Sequence, residues 1–202
     1  MDQQYRLTAN GADFVSLGDR LEMAIAMVES ALIPAAQEPA RRSVLDFCRS
    51  RPDALHRSCL DGHLTASAFV VDVTSQAVAL IHHRKLGLWL QPGGHADGEA
   101  NLLRVSASEV AEEVGLTDLR FALPAFDVDI HSIPARGEDP PHYHHDLRFL
   151  AVTSGTPDLS GNHETRGADW VGLSDPRMHH GDAVADAARR AVELADALRS
   201  GS

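Results

Sequence analysis

Between Gly93 and Leu116 the chain commits to a glycine-rich loop followed by one helix, and this segment limits the fold more than any other. Residues 101–114 carry Leu103, Ala107, Val110 and Val114 at i, i+4, i+7 and i+11, a single apolar stripe. Gly115 then stands where a left-handed residue would end the helix. On another face Glu109, Glu112 and Glu113 fall at i, i+3 and i+4. Like charges at that spacing cost about 0.2–0.5 kcal/mol per pair, and the C-terminal end of a helix disfavours anions. Three acids set against both effects need full solvation or a counter-cation. Carboxylate clusters of this kind suit Mg2+ or Mn2+. The preceding Gly93-Gly94 lets a backbone carbonyl approach the same ion.

The texture of the chain changes on either side of residue 60. Leu17, Leu21, Ala24, Val28 and Leu32 form one helical stripe stopped by Pro34, and a second helical segment over roughly 38–50 is cut by Pro52. Residues 1–60 are therefore expected to be a helical extension packed on a core formed by 61–202. Within that core, residues 66–71 and 77–81 are β-type runs joined by the polar connector Thr74-Ser75-Gln76, which suits a hairpin. The segment from Pro92 to Gly98 reads as a loop. Further strands are expected at 126–133, 145–153 and 169–172, and a last helix buries Val184, Ala187, Ala191, Leu194 and Leu198. Helices before, within and after a hairpin sheet give an α+β fold, layered helix–sheet–helix.

The 202 residues suffice for one domain with a sizeable core. With 29 acidic and 18 basic side chains the net charge is −11, which argues against a nucleic-acid polymer as partner. No apolar run reaches the ~18–20 residues of a membrane span, and the N-terminus lacks the basic flank and apolar stretch of a secretory signal. Two cysteines are too few for a disulfide framework. A soluble cytoplasmic protein is expected, and a homodimer is the preferred assembly.

At this point the sequence resembles the Nudix hydrolase family. Gly94, Glu109, Val110, Glu112, Glu113, Gly115 and Leu116 stand in register with the family's box, Gly-x5-Glu-x7-Arg-Glu-U-x-Glu-Glu-x-Gly-U with U aliphatic. Less specific likeness extends over about residues 64–175, and the stretch from His56 to Ser67 resembles a bacterial subgroup with an N-terminal extension. The resemblance implies an α/β/α sandwich with a mixed sheet and hydrolysis of a diphosphate linked to another group. It also implies that Glu109, Glu112 and Glu113 hold Mg2+ or Mn2+, with the Gly94 carbonyl a further ligand. Two positions depart from the box: its first Glu is Ala100 and its Arg is Ser108. In the family these support each other and orient the glutamates. Losing both ends together can be nearly neutral for folding, yet such supporting losses weaken metal affinity or rate. Glu99 and Arg104 lie nearby with a different helical phase.

Hydrolysis also needs a group that takes a proton from the attacking water. Glu109 and Glu112 are candidates, and Glu164, ahead of the strand at Trp170, resembles the later-loop base of some family members. Finally, His142-Tyr143-His144-His145-Asp146-Leu147-Arg148 alternates so that His142, His144, Asp146 and Arg148 share one face of a strand. Three readings stand for this row: a transition-metal site of zinc or iron, a grip on a substrate phosphate or carboxylate, or a hydrogen-bonded polar face. Likeness to the same subgroup favours substrate contact, with Arg84 adding positive charge. The leading function is a metal-dependent diphosphate hydrolase acting on a small molecule. The rival is a module of the same fold that binds a nucleotide or phosphorylated metabolite without turning it over.

Overall fold

The computed structural model describes residues 5–9, 11–135, 137, 140–163, 165–180 and 182–200. Chain order is β1 (Arg6–Thr8), α1 (Leu21–Ser30), α2 (Glu38–Ser50), β2 (Gly62–Asp72), β3 (Ala77–His83), β4 (Trp89–Leu90), β5 (Gly93–His95) and α3 (Leu102–Val114). It continues with β6 (Arg120–Ile133), β7 (His142–Thr153), β8 (Thr165–Gly172) and α4 (Asp182–Ser200). The sheet runs β1-β6-β7-β2-β3-β4, with β5 beside β2 and β8 beside β3. β2 and β7 are parallel, and the other pairings are antiparallel.

The period of two along β2 explains the layers. Leu64, Ala66, Ala68 and Val70 face one cluster with α1, α2 and α3, while Phe69 and Val71 face a second with α4. Burying a side chain the size of Phe69 or Phe149 contributes about 1.5–3 kcal/mol. The mixed sheet between two helical layers is the α+β sandwich expected. The hairpin turn is held by Asp72, fully buried, which accepts from the N–H groups of Thr74 (3.1 Å), Ser75 (3.3 Å) and Gly155 (3.1 Å). It also accepts from the hydroxyls of Ser75 (2.6 Å) and Thr156 (2.9 Å).

Two short strands depart from the sequence reading. Arg6–Thr8 lies within the stretch read as helical, yet pairs with Phe121–Leu123 of β6 at the sheet edge. Gly93–His95, read as loop, pairs with Thr65–Ser67. Three residues carry too little periodicity to be read, and both strands exist because a long neighbour offers them backbone partners. The extension is thus joined to the sheet as well as packed on it. Among the described residues no helix is long and apolar enough to cross a membrane. Cys48 and Cys59 are buried and unbonded to each other.

Candidate active site

Helix α3 begins where Asn101 accepts the Arg104 N–H at 3.3 Å and ends at Gly115, whose φ of 75° favours glycine. Between them the stripe Leu103, Val110 and Val114 is buried against the sheet. That docking sets the three glutamates in distinct environments. Glu113 is buried and accepts the Gly93 N–H at 3.0 Å. Glu109 is half-buried with its carboxylate against the Gly94 Cα, where an added Cβ would stand 2.5 Å from Glu109 Cδ. Glu112 is exposed. The helix therefore leans its acids on the two glycines of β5, one through a backbone N–H and one through bare Cα. One of these carboxylates is thus anchored and one open to solvent.

The departures from the box have a structural counterpart. Ala100 is fully buried with its N–H on the Gly18 carbonyl at 2.8 Å, and Ser108 is exposed. Glu99 and Arg104 do not take over toward the glutamates. Glu99 accepts the N–H groups of Leu17 and Asn101, both at 2.9 Å, and lies 3.5 Å from Arg104 Nε. Arg104 and the Asn101 side chain donate to the carbonyls of Phe14, Asp13 and Val15 at 3.2, 2.7 and 2.9 Å. This end of the helix serves to hold the extension.

The alternating row on β7 divides into two parts. Arg148 is 4% exposed, and each of its guanidinium nitrogens donates to a carboxylate: Nε to Asp146 (3.0 Å), one terminal nitrogen to Asp127 (3.2 Å) and the other to Asp129 (2.8 Å). Asp146 also accepts from the hydroxyls of Thr65 (2.8 Å) and Ser67 (2.7 Å). Asp127 in turn takes Gln37 Nε2 at 2.6 Å and an ion pair from Arg190 of α4. Burial alone would lower the Arg148 pKa, and the three carboxylates outweigh it and raise it. Asp146 and Arg148 thus brace three strands from inside through these contacts. Arg84 is exposed and donates to the Thr165 carbonyl at 3.1 Å, away from this row. Glu164 lies outside the described residues.

Toward the start of β7 the same face carries imidazoles only. His144 is the register partner of His63 on β2 and of His131 on β6. His95, paired opposite Thr65, brings a fourth ring, and His142 a fifth. His63 centres lie 4.9 Å from those of His95, His142 and His144. Burial, then repulsion from the neighbouring rings, pushes His63 down to about 4 and His144 to about 2. These rings are neutral at pH 7. His145 points to the other face, stacks on Phe47 at 4.1 Å and is pushed to about 4 by burial and by His131. The sequence reading did not single out His63 and His95. The signal was present, because His63-x-Thr65-x-Ser67 alternates against Leu64-x-Ala66-x-Ala68 just as the β7 row does.

Comparison with known proteins shows the family. The family model described as NUDIX domain matches residues 62–192, well over half of the chain. No curated protein matches the sequence significantly. Among solved structures, the E. coli dihydroneopterin triphosphate pyrophosphohydrolase superposes with a TM-score of 0.53 at 14% identity, covering 64% of this chain and 92% of that one. A MutT NUDIX hydrolase from Burkholderia pseudomallei gives 0.45 at 20% identity, covering 66% and 97%. A C. elegans Ap4A hydrolase gives 0.44 at 17% identity, covering 69% and 98%. With a family match that spans residues 62–192 of the sandwich, this chain belongs to the Nudix family.

Proposed function

We propose that this protein is a metal-dependent hydrolase that cleaves the diphosphate linkage of a nucleoside diphosphate joined to another moiety, or of a related organic diphosphate. Family membership supports a pyrophosphohydrolase in general. The observation that carries the finer reading is the pair of contacts fixing Glu109 and Glu113 onto Gly94 and Gly93.

In this reading Glu109, Glu112 and Glu113, with the Gly94 carbonyl, hold Mg2+ or Mn2+. A dication held there would supply neutralisation of the diphosphate charge and a lower pKa for the attacking water. The protein's own part is geometric and basic. Glu113, restrained by the Gly93 N–H, keeps one carboxylate orientation before substrate arrives. Glu112, exposed at the helix end, takes the proton from the attacking water, with Glu109 and Glu164 as the other candidate bases. Water oxygen bonds to phosphorus, the bridging P–O bond breaks, and the leaving phosphate departs with the bridging oxygen. His142 and His144 line the neighbouring sheet face as candidate substrate contacts. The reading carries a cytoplasmic location and a homodimer, and light scattering of the purified chain tests the dimer.

One observation favours the rival reading of binding without turnover. The helix start is committed to the extension, and no acid at 100 or arginine at 108 steadies the glutamates. Purified protein with Mg2+ or Mn2+, offered a panel of nucleoside diphosphate derivatives, separates the two. Turnover that falls at least about a hundredfold in Glu112→Gln/Glu113→Gln is expected. Turnover that survives the double substitution refutes the hydrolase reading as framed, and binding without turnover supports the rival.

A further inference from the structure

His63 and His95 have no task in the carboxylate reading, and with His144 they form a cluster whose chemistry differs from it. Ring nitrogens of His63, His95 and His144 all lie within 4.8 Å of one another. His63 is 3% exposed, and among the described residues neither its ring nitrogens nor His144 Nε2 has a hydrogen-bond partner of good geometry, although the Cys59 backbone lies beside His63. Buried polar atoms are almost always partnered, so two adjacent rings with unpartnered nitrogens facing a third point to a ligand.

The surroundings are built as metal sites are built. His131 Nδ1 lies 2.8 Å from Asp129, itself held by Arg148 at 2.8 Å. His142 Nδ1 lies 2.9 Å from the Pro140 carbonyl. Carboxylate and carbonyl acceptors at Nδ1 fix the tautomer that leaves Nε2 with its lone pair. Both rings sit 5.3 Å from that of His144. Asp146, whose oxygens serve Thr65, Ser67 and Arg148, is not among the donors.

We propose that His63, His95 and His144 form a binding site for one borderline transition-metal dication of the zinc class, separate from the carboxylate helix. An all-imidazole set suits zinc, cobalt, nickel, copper or iron and not magnesium or calcium, which take oxygen donors. Zn–N bonds of about 2.0–2.1 Å in a tetrahedron bring nitrogens to about 3.3 Å from one another, which small ring rotations reach from the observed spacing. Three neutral ligands leave the ion its full charge and a fourth position, filled by His131, His142 or an exchangeable oxygen ligand. The site depends on none of the glutamates and stands whether or not the chain is a hydrolase.

The test is metal binding by the full chain, expressed without a polyhistidine tag and stripped with chelator. Titration with Co2+ and Zn2+ is read by visible absorption of cobalt and by elemental analysis after dialysis. One equivalent per chain is expected, undiminished by millimolar Mg2+. His63→Gln and His144→Gln raise the zinc Kd at least about a hundredfold. Glu112→Gln/Glu113→Gln and the surface control His56→Gln keep it unchanged. Circular dichroism confirms folding, and His95→Asn at the half-buried rim carries the test if the buried variants fail to fold. No stoichiometric binding, binding that persists in His95→Asn and the folded variants, or binding lost in the carboxylate variant overturns the proposal.

Discussion

Adding one methyl group at Gly94 tests the proposed active site more sharply than removing any of its acids. An alanine Cβ at Gly94 would stand 2.5 Å from Glu109 Cδ, and the shortest ordinary contact is 3.4 Å. The Glu109 carboxylate must therefore retreat by at least about 0.9 Å, since its Oε1 stands nearer still. Metal sites tolerate only about 0.2 Å in ligand distances, and misplacement of about 1 Å in a reacting site can cost about a hundredfold in rate. That factor corresponds to about 2.7 kcal/mol of lost transition-state stabilisation. Folding should hardly notice, because the displaced atoms end a flexible side chain and alanine outranks glycine in a strand by about 0.5–1 kcal/mol. Gly93→Ala is the matched control. Its Cβ would stand 2.8 Å from Ser67 Cα and 3.0 Å from the Ala66 carbonyl, neither of which can swing aside. Overpacking of that kind costs about 1–3 kcal/mol, a melting shift of about 2–12 °C for a chain this size. The assay is kcat/KM for diphosphate hydrolysis beside a thermal melt of each variant. Full activity in Gly94→Ala would refute the idea that Glu109 reacts from its seat on that glycine. A melt as damaged as that of Gly93→Ala would refute the packing argument.

Three further outcomes follow from the buried polar groups. Arg148→Met leaves Asp127, Asp129 and Asp146 facing one another and should cost about 3–5 kcal/mol, read by denaturant melts; an intact melt with raised KM would return Arg148 to the substrate. At Asp72, burial alone would raise the carboxyl pKa, and hydrogen bonds from Ser75, Thr74 and Thr156 outweigh it, leaving the pKa below its ordinary value. Its contribution is therefore complete above the unfolded value of about 3.9 and lost as pH falls through the lower folded one; Asp72→Asn should lose about 1–3 kcal/mol at pH 7 and show a shallower acid limb in pH-dependent melts. Ala100→Glu, which returns the box acid, should destabilise by about 3 kcal/mol or more by placing an unpaired carboxylate in a fully buried position; a gain in activity without loss of stability would contradict this.

Much of the fold was legible because its long elements carry their own period. The stripe through Leu103, Val110 and Val114 and the stop at Gly115 correspond to the α3 observed. The runs on either side of Thr74-Ser75-Gln76 correspond to β2 and β3, with Gln76 at a φ of 56°. What escaped was what depends on a partner. β1 and β5 are strands because β6 and β2 hold them, a fact absent from their three residues. The β7 row could be assigned to a face but not to a task, since alternation does not say which carboxylates wait on β6. Asp127 and Asp129, some twenty residues earlier, settle Arg148 in the interior. The imidazole group was hidden for the same reason: its members come from three strands and the loop-like Gly93–His95, and only register brings His63 beside His144.

The lost acid and arginine of the box make physical sense once the extension is considered with them. In the box that the sequence resembles, those two side chains are the ones expected to steady the helix of Glu109, Glu112 and Glu113. Here the same end of the helix receives residues 13–18. Backbone groups of Leu17 and Gly18 meet Glu99 and the Ala100 N–H, and the carbonyls of Asp13, Phe14 and Val15 meet Asn101 and Arg104. A carboxylate at 100 would enter a fully buried position where Arg104 is already engaged by Glu99 and the Phe14 carbonyl, and an arginine at 108 alone would have lost its partner. Removing both and closing the gap with main chain leaves no buried charge unpaired. The steadying of α3 then passes from one ion pair to a set of hydrogen bonds that exist only while the extension is docked. On this argument residues 13–18 belong to the mechanics of the carboxylate site, although they lie outside the family match.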